Sequence, residues 1–178
     1  FQDTNWYVDF PTSAKKILEF YHQTKPERID GVIAINSYIL PAIIELVGDV
    51  ELPEYGKTLT SENVLYEIQS VVELEYDIEE NKPKKIIGDL FDVLLDRLLH
   101  DQSIEFIDML EIINTGLLQR DIQMYFLFPE LQSQAHKWQW SGELKSTSGD
   151  YVMIVNSNIG GGKTDKFMIQ ESEVTSHI

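Results

Sequence analysis

Gly31-Val-Ile-Ala-Ile-Asn36 is a short, continuous apolar run, and a helical pattern follows it directly over residues 37–47. Such a run is typical of a strand that is buried on both faces of a sheet. Gly48 supplies the expected C-terminal stop of the helix, and a second short strand is predicted over residues 49–52. This unit decides the fold class, because strands that alternate with helices predict an α/β sheet.

Further helices and strands are predicted on both sides of this unit. Pro11 suits a first helical turn, and residues 13–21 continue as an amphipathic helix that Lys25-Pro26 ends. The remaining predicted elements are helices over residues 64–72 (capped by Thr60 with Asn63), over 86–98 and from a Ser103 cap to Gly116, a strand over 121–128, a helix over 129–137, a turn over 138–142, and strands over 150–155 and 166–174.

The predicted fold is a single α/β domain over residues 1–178, with a central mixed β-sheet flanked by helices. Phe1 is not a natural start residue. We therefore expect the chain to be the C-terminal portion of a larger α/β domain, without the N-terminal strands of its sheet. A sheet that lacks strands would have an exposed edge. No signal peptide is visible, so any targeting segment is expected upstream.

The composition excludes several classes of function. The formal net charge is -16, which opposes binding to nucleic acid and to anionic membrane surfaces. The chain contains no cysteine, so disulfides, thiol nucleophiles and cysteine-based zinc sites are excluded. The longest apolar runs are far too short to span a membrane. An acidic, solvated surface, cation binding or a cationic partner all remain compatible with this charge.

Three oxygen-bearing side chains, Asp3, Asn5 and Asp9, lie within seven residues of one another. Clustered oxygens are the ligands of hard cations such as Mg²⁺ and Ca²⁺, and Asp3 and Asp9 are the candidate metal ligands. The spacing matches no EF-hand. Capping and turn formation before the Pro11 helix explain the same residues, and this structural interpretation is favoured.

A glycine-rich loop over residues 157–164 follows a predicted strand, and Asn158, Lys163 and Asp165 are its candidate ligand-binding residues. A phosphate-binding P-loop requires Gly, four residues and then Gly-Lys-Ser/Thr, but Ser157 occupies the first glycine position. The residues after the loop alternate like a strand. A glycine turn between two strands is therefore favoured over nucleotide binding.

Histidines and aromatic residues give weaker signals. The four histidines are scattered and form no H-x-x-x-H pair, and there is no G-x-S-x-G elbow of a serine hydrolase. The aromatic residues around the predicted strand over 121–128 suit stacking on sugar rings, but core packing is favoured for them. These residues are Tyr125, Phe126, Phe128, Trp138 and Trp140.

Four sequence strings resemble a bacterial surface family that is catalogued as domain of unknown function 4012. They are Asp-x-Asn-Trp with Asp-Phe-Pro-x-Ser-Ala over residues 3–14, Ile-Asp-Gly-Val-Ile-Ala-Ile over 29–35, Leu-Thr-x-Glu-Asn-Val over 59–64, and Asp-Tyr with Asn-x-Gly-Gly-x-Lys-x-Asp over 150–165. Members usually carry a preceding segment with an Arg-Pro-Thr-Gly-Gly-like string, which this chain lacks. The resemblance spans nearly the whole chain.

The order of elements is similar, more distantly, to the LytR-CpsA-Psr enzymes. That resemblance implies transfer of lipid-pyrophosphate-linked glycopolymers onto peptidoglycan with Mg²⁺, with Asp3 as the cation ligand. Residues 29–50 match the family's strand–helix unit, and residues 59–69 match a later helix. Gln69 and Val71 stand where that helix carries two arginines. Without those guanidinium groups, binding of a pyrophosphate becomes difficult, so the activity is not transferred to this chain.

We expect a non-catalytic domain of the cell envelope that binds or organises surface polymer or a partner protein. The alternative is a divergent LytR-CpsA-Psr-like glycopolymer phosphotransferase that uses a divalent cation, with missing groups supplied by the upstream segment. Whether the chain is an enzyme stays open, and no cofactor is expected other than Mg²⁺, which the phosphotransferase alternative would use. Expected partners are a cell-wall polymer or surface protein and the upstream segment, without nucleic acid or direct membrane contact. The expected location is extracellular or at the cell surface, with any anchor outside this chain.

Overall fold

A computed structural model describes residues 7–72 and 84–149, together with the single residues 152, 171 and 173. The chain divides into two units, Phe1–Lys145 and Ser146–Ile178, and the elements below all lie in the first. The helices are α1 (Phe10–Thr24), α2 (Leu40–Val47), α3 (Val64–Ser70), α4 (Lys85–His100), α5 (Phe106–Gln119) and α6 (Pro129–Lys137). The strands are β1 (Gly31–Ile35), β2 (Val50–Leu52), β3 (Lys57–Leu59) and β4 (Ile122–Phe126).

The predicted mixed α/β composition is confirmed, but the arrangement of strands differs from the prediction. In place of one central mixed sheet, the described strands form two separate antiparallel pairs, β1 with β4 and β2 with β3. Only residues 53–56 separate β2 from β3, and so short a connection allows an antiparallel hairpin but no parallel crossover. The predicted strands over residues 150–155 and 166–174 fall on residues that, except for 152, 171 and 173, lie outside the described part of the chain.

Strand β1 is less buried than its apolar sequence predicts. Helix α1 covers the face that carries Val32 and Ala34, through Phe10, Ala14 and Leu18. On the opposite face, α5 covers Ile122 and Met124 of β4. Ile33 and Ile35 of β1 stay 56% and 57% exposed. The prediction of a strand buried on both faces is therefore wrong for this structure, because the described helices cover the second face only beside β4.

The largest apolar core lies among α2, β2, α3 and α4. Most of its fully buried side chains come from positions that the helical and strand patterns predict, including Ile44, Val50, Val64, Ile86 and Leu90, whereas Leu59 belongs to the unpredicted strand β3. Thr60 and Asn63 form the predicted pair at the turn before α3. Each backbone N–H donates to the other side chain, at 2.8 Å from Thr60 N to Asn63 Oδ1 and 3.3 Å from Asn63 N to Thr60 Oγ1.

Helix α5 begins and ends differently from the prediction. Ser103 does not cap it, because both its backbone N–H and its hydroxyl donate to the Asp101 carboxylate in the preceding turn. The helix passes through Gly116, where Ile39 and Ile122 pack closely, and ends at Gln119, followed by Arg120 in a left-handed conformation. None of the described helices is long and apolar enough to cross a membrane.

Arg97 ties the end of α4 to the end of α2. Its Nη1 lies 3.1 Å from the carbonyl oxygens of Val47 and Gly48 and 2.9 Å from that of Asp49. The last carbonyls of a helix have no partner within the helix, and a cation there also meets the negative end of the helix dipole. One guanidinium group therefore satisfies the backbone between α2 and β2.

We predict that Arg97→Met destabilises the protein by about 2 kcal/mol, because the charge-assisted hydrogen bonds are lost while the aliphatic stem is kept. Urea denaturation monitored by circular dichroism measures the change. Arg28→Met is the control, since Arg28 is exposed and its ion pair with Asp30 is long, at 3.7 Å. We expect Arg28→Met to lower the free energy of unfolding by less than about 0.5 kcal/mol. Equal losses in the two variants would contradict a role for the carbonyl contacts.

Gly88 lies inside α4, and a Cβ added there would meet open space. Glycine in a helix interior costs about 1 kcal/mol relative to alanine, because its unfolded chain has more conformational freedom. We predict that Gly88→Ala raises the free energy of unfolding by up to about 1 kcal/mol. The midpoint of urea unfolding checks this, and a lower midpoint would indicate an unseen close contact at Gly88.

Candidate functional site

Most of the residues predicted to form a site fall outside the described part of the chain. These are Asp3, Asn5, Asn158, Lys163 and Asp165. Asp9 is described, at the N-cap of α1. Among the described residues, no group of three or more His, Cys, Asp or Glu side chains is placed to hold a metal ion.

Both carboxylate oxygens of Asp9 accept hydrogen bonds. Oδ2 accepts from the backbone N–H of Thr12 at 3.1 Å and from its hydroxyl at 2.5 Å. Oδ1 accepts from the backbone N–H of Leu144 at 3.1 Å. Partial burial raises the pKa of Asp9, but the bonds from Thr12 and Leu144 and the charge of Lys15 outweigh it and hold the pKa below its ordinary value. Asp9 therefore has a structural role as a cap, and its role as a cation ligand stays a prediction.

The bond to Leu144 is one of two that hold residues 142–144 against the start of α1. The other runs from Phe10 N to Gly142 O, at 3.2 Å. Gly142 has a φ of 61°, which favours glycine, and a Cβ there would lie 2.9 Å from the Cβ of Phe10. Glu143 lies between these two anchored residues.

Glu143 accepts a hydrogen bond from His136, with 2.5 Å between Oε2 and Nδ1. His136 is near the end of α6, whose C-terminus is closed by bonds from Gln139 N to His136 O and from Trp140 N to Ala135 O. This pair of bonds is the Schellman pattern, with Gln139 in the left-handed position. A carboxylate only accepts, so Nδ1 carries the hydrogen and Nε2 is left to contact a ligand.

The His136–Glu143 pair lines an open groove of about 490 Å³ between α1, β4 and α6. Lys15 extends from α1 into the same groove, with its Nζ 5.9 Å from the centre of the Tyr125 ring. The other lining residues are Pro11, Pro129, Gln132 and Ser133. Gln132 is fixed in place, because its Oε1 accepts from the backbone N–H of Phe126 at 2.8 Å. The groove thus combines an apolar floor with a cation, an imidazole and an anchored amide.

A smaller cleft adjoins the groove and shares His136 and Glu143 with it. Arg120 and Lys145 line this cleft and bring two more cationic side chains. Its volume of about 10 Å³ is close to the space that one water needs. Three cationic side chains, those of Lys15, Arg120 and Lys145, therefore line the two cavities that share Glu143. They do so in a chain whose formal net charge is -16.

The arrangement suits binding of an anion more directly than nucleophilic catalysis. Ser133 and His136 line the same groove three positions apart on α6. Within the described residues no hydrogen bond joins them, although a nucleophile and its base normally lie within hydrogen-bond reach. An imidazole that carries its hydrogen on Nδ1 can only accept at Nε2, so the contact for a negatively charged, partly apolar ligand comes from Lys15, which lies over the ring of Tyr125.

A family model described as a protein of unknown function, DUF4012, matches residues 1–72. This segment runs through α3, and three of the four strings that carry the predicted resemblance lie within it. The resemblance is confirmed for these residues, which are fewer than half of the 178 in the chain. No curated protein and no solved structure matches the chain. The similarity to LytR-CpsA-Psr enzymes stays a prediction.

The groove itself was not foreseen from the sequence. His136 was one of four scattered histidines, and Glu143 had no motif to mark it. The available signal was the predicted turn over residues 138–142, which reverses the chain and brings residues on its two sides together. Among the aromatic residues, Tyr125 is buried as predicted, whereas Phe128 and Trp138 are exposed.

We predict that Asp9→Ala destabilises the protein by about 1 kcal/mol at pH 7, the usual cost of losing a helix cap. The pKa of Asp9 is lower in the folded than in the unfolded state, so its stabilising effect is present above pH 3.8 and is lost as the pH falls through the folded pKa. The difference between wild type and variant should therefore shrink below this pH. Urea denaturation of wild type and variant at pH 7 and at pH 3 measures the difference in unfolding free energy at each pH. The same difference at both pH values would show that the ionised carboxylate is not the group that stabilises the fold.

Proposed function

We propose that this chain is a non-catalytic domain of the bacterial cell envelope that binds an anionic surface polymer in the groove between α1, β4 and α6. The observation that carries this proposal is the position of Lys15 over the ring of Tyr125, in an open groove of about 490 Å³. Ligand sites commonly have about 300–1,000 Å³. An open groove also admits a segment of a long polymer, which an enclosed pocket does not.

Charge selects the class of ligand. A neutral glycan would use the aromatic ring and Gln132 but would bring no anionic group to the ammonium group of Lys15. A phosphate or carboxylate group near Lys15 forms a charge-assisted hydrogen bond, which is about twice as strong as a neutral one. The surrounding acidic surface repels polyanions at long range. The local cations must therefore supply the attraction within about 8 Å, the screening length at physiological salt.

The proposed location rests on the resemblance to a bacterial surface family and on composition. Absence of cysteine suits an exported protein, because export exposes thiols to oxidation. A partner protein that presents an acidic segment to the same groove is the other form of this proposal. Both forms require an anionic group beside Lys15.

We predict that Lys15→Gln weakens binding of a short glycerol-phosphate oligomer about tenfold, the effect of losing about 1.4 kcal/mol. Isothermal titration at 0.1 M salt measures the affinity, with neutral dextran as the uncharged ligand. Lys16→Gln is the matched control. Lys16 follows Lys15 on the same helix but pairs with Glu19 at 2.8 Å and does not line the groove.

The expected change for Lys16→Gln is less than twofold. Equal losses in the two variants would show that net charge, and not the groove, governs binding. Absence of binding by wild type would reject the proposal. A rise in melting temperature with a polyprenyl pyrophosphate analogue that requires Mg²⁺ would instead favour the phosphotransferase alternative, which depends on Asp3 and on groups outside the described residues.

A further inference from the structure

Helix α4 has a second apolar face in addition to the one that enters the core. Ile86, Leu90 and Leu94 are buried. One position further along, Ile87, Phe91, Leu95 and Leu99 form a separate stripe, exposed by 44%, 55%, 41% and 67%. The core of the domain covers only one of the two apolar faces of this 16-residue helix. The second face, called the α4 stripe below, has no use within the described fold.

The shape of the α4 stripe fits another helix. Residues at spacing four form a continuous ridge, and ridges of this kind pack into the grooves of a facing helix. From Ile87 to Leu99 the ridge extends about 18 Å, or more than three helical turns. Gly88 lies at one end of it and has open space where a Cβ would be, which permits close approach of a partner.

Charge decides what kind of helix fits. Asp92 and Asp96 are exposed and each directly follows a stripe residue, so both lie about 100° further round α4, along the outer border of the stripe. Asp96 also lies 3.0 Å from the exposed His100, measured from Oδ1 to Nδ1. A second copy of this chain would bring its own two aspartates and a net charge of -16 to the contact. Anionic lipid would be repelled in the same way. A helix with lysine or arginine beside its apolar face matches both the ridge and its acidic border.

We propose that the α4 stripe docks a cationic amphipathic helix of a partner protein. The apolar side chains of that helix cover Phe91 and Leu95 at the centre of the ridge, where well-packed aromatic and aliphatic anchors supply most of the affinity. Its basic side chains pair with Asp92 and Asp96 at the border. This surface is made by α4 alone and is independent of the groove between α1, β4 and α6.

The test uses synthetic probes of known composition. A labelled 18-residue leucine–lysine peptide with one apolar face is titrated against the full chain by fluorescence anisotropy, beside a scrambled peptide of the same composition and a leucine–glutamate counterpart. The leucine–lysine peptide with one apolar face should bind at least tenfold more tightly than the scrambled peptide or the leucine–glutamate peptide. Equal affinity for the scrambled peptide would reduce the effect to charge attraction and overturn the proposal.

Two sets of variants locate the binding. The double substitution Phe91→Ser with Leu95→Ser removes exposed side chains, so the fold is retained, and should lower the affinity at least tenfold. Ile33→Ser with Ile35→Ser removes an equally exposed apolar pair from β1 and should change it less than twofold. Asp92→Asn with Asp96→Asn should lower the affinity several-fold and reduce its dependence on salt.

Other occupants of the α4 stripe give distinct results. Sedimentation that shows a dimer, lost in the Phe91→Ser, Leu95→Ser variant, would assign the stripe to a second copy and overturn the proposal. Stripe-dependent binding to neutral phosphatidylcholine vesicles, without binding of the basic peptide, would assign it to a lipid surface. Equal loss of peptide binding in the α4 and β1 variants would also overturn the proposal that a cationic helix docks on the α4 stripe.

Discussion

The carboxylate of Asp9 joins two parts of the chain that are 135 residues apart in sequence. One oxygen caps α1, and the other holds the backbone at Leu144. Since Glu143 lies next to that anchor and bonds to His136, the geometry of the groove follows from the cap of the first helix. A capping residue thereby does more than stabilise its own helix, because it places a side chain of the site. Because the pKa of Asp9 is lowered, the carboxylate that makes this connection stays ionised to a pH below the ordinary value of 3.8.

Helix α4 connects the elements of the main core in the way that Asp9 connects α1 with the backbone at Leu144. Its inner face fills the main core, and Arg97 bonds the carbonyl oxygens between α2 and β2. These contacts fix the rotation of the helix about its axis. The α4 stripe therefore faces outward because packing requires it, and rotation into the core would remove Leu90 and Leu94 from their places. An apolar surface that is held out of the core in this way is available for recognition.

Periodicity predicted the helices well, because their burial is local to one face of each. Helix α6 has the predicted bounds, and α1 ends at Thr24, directly before Lys25-Pro26, as expected. Pairing of strands was less predictable, since it depends on contacts between distant residues. β3 was missed because three residues give too short a pattern, and the exposure of Ile33 depends on where α5 lies. The His136–Glu143 pair depends on a turn closed by backbone bonds at Gln139 and Trp140, and residue types do not reveal such bonds.

The distribution of charge relates the two proposed surfaces. A net charge of -16 keeps most anions away from this protein, so an anion site requires several cations within a short distance of one another. Lys15, Arg120 and Lys145 lie on α1, after α5 and beyond α6, and only the fold gathers them around His136. The acidic border of the α4 stripe does not depend on tertiary structure, because Asp92 and Asp96 are one turn apart on one helix. The groove therefore depends on tertiary structure, whereas the α4 stripe follows from the sequence of a single helix and the packing of its inner face.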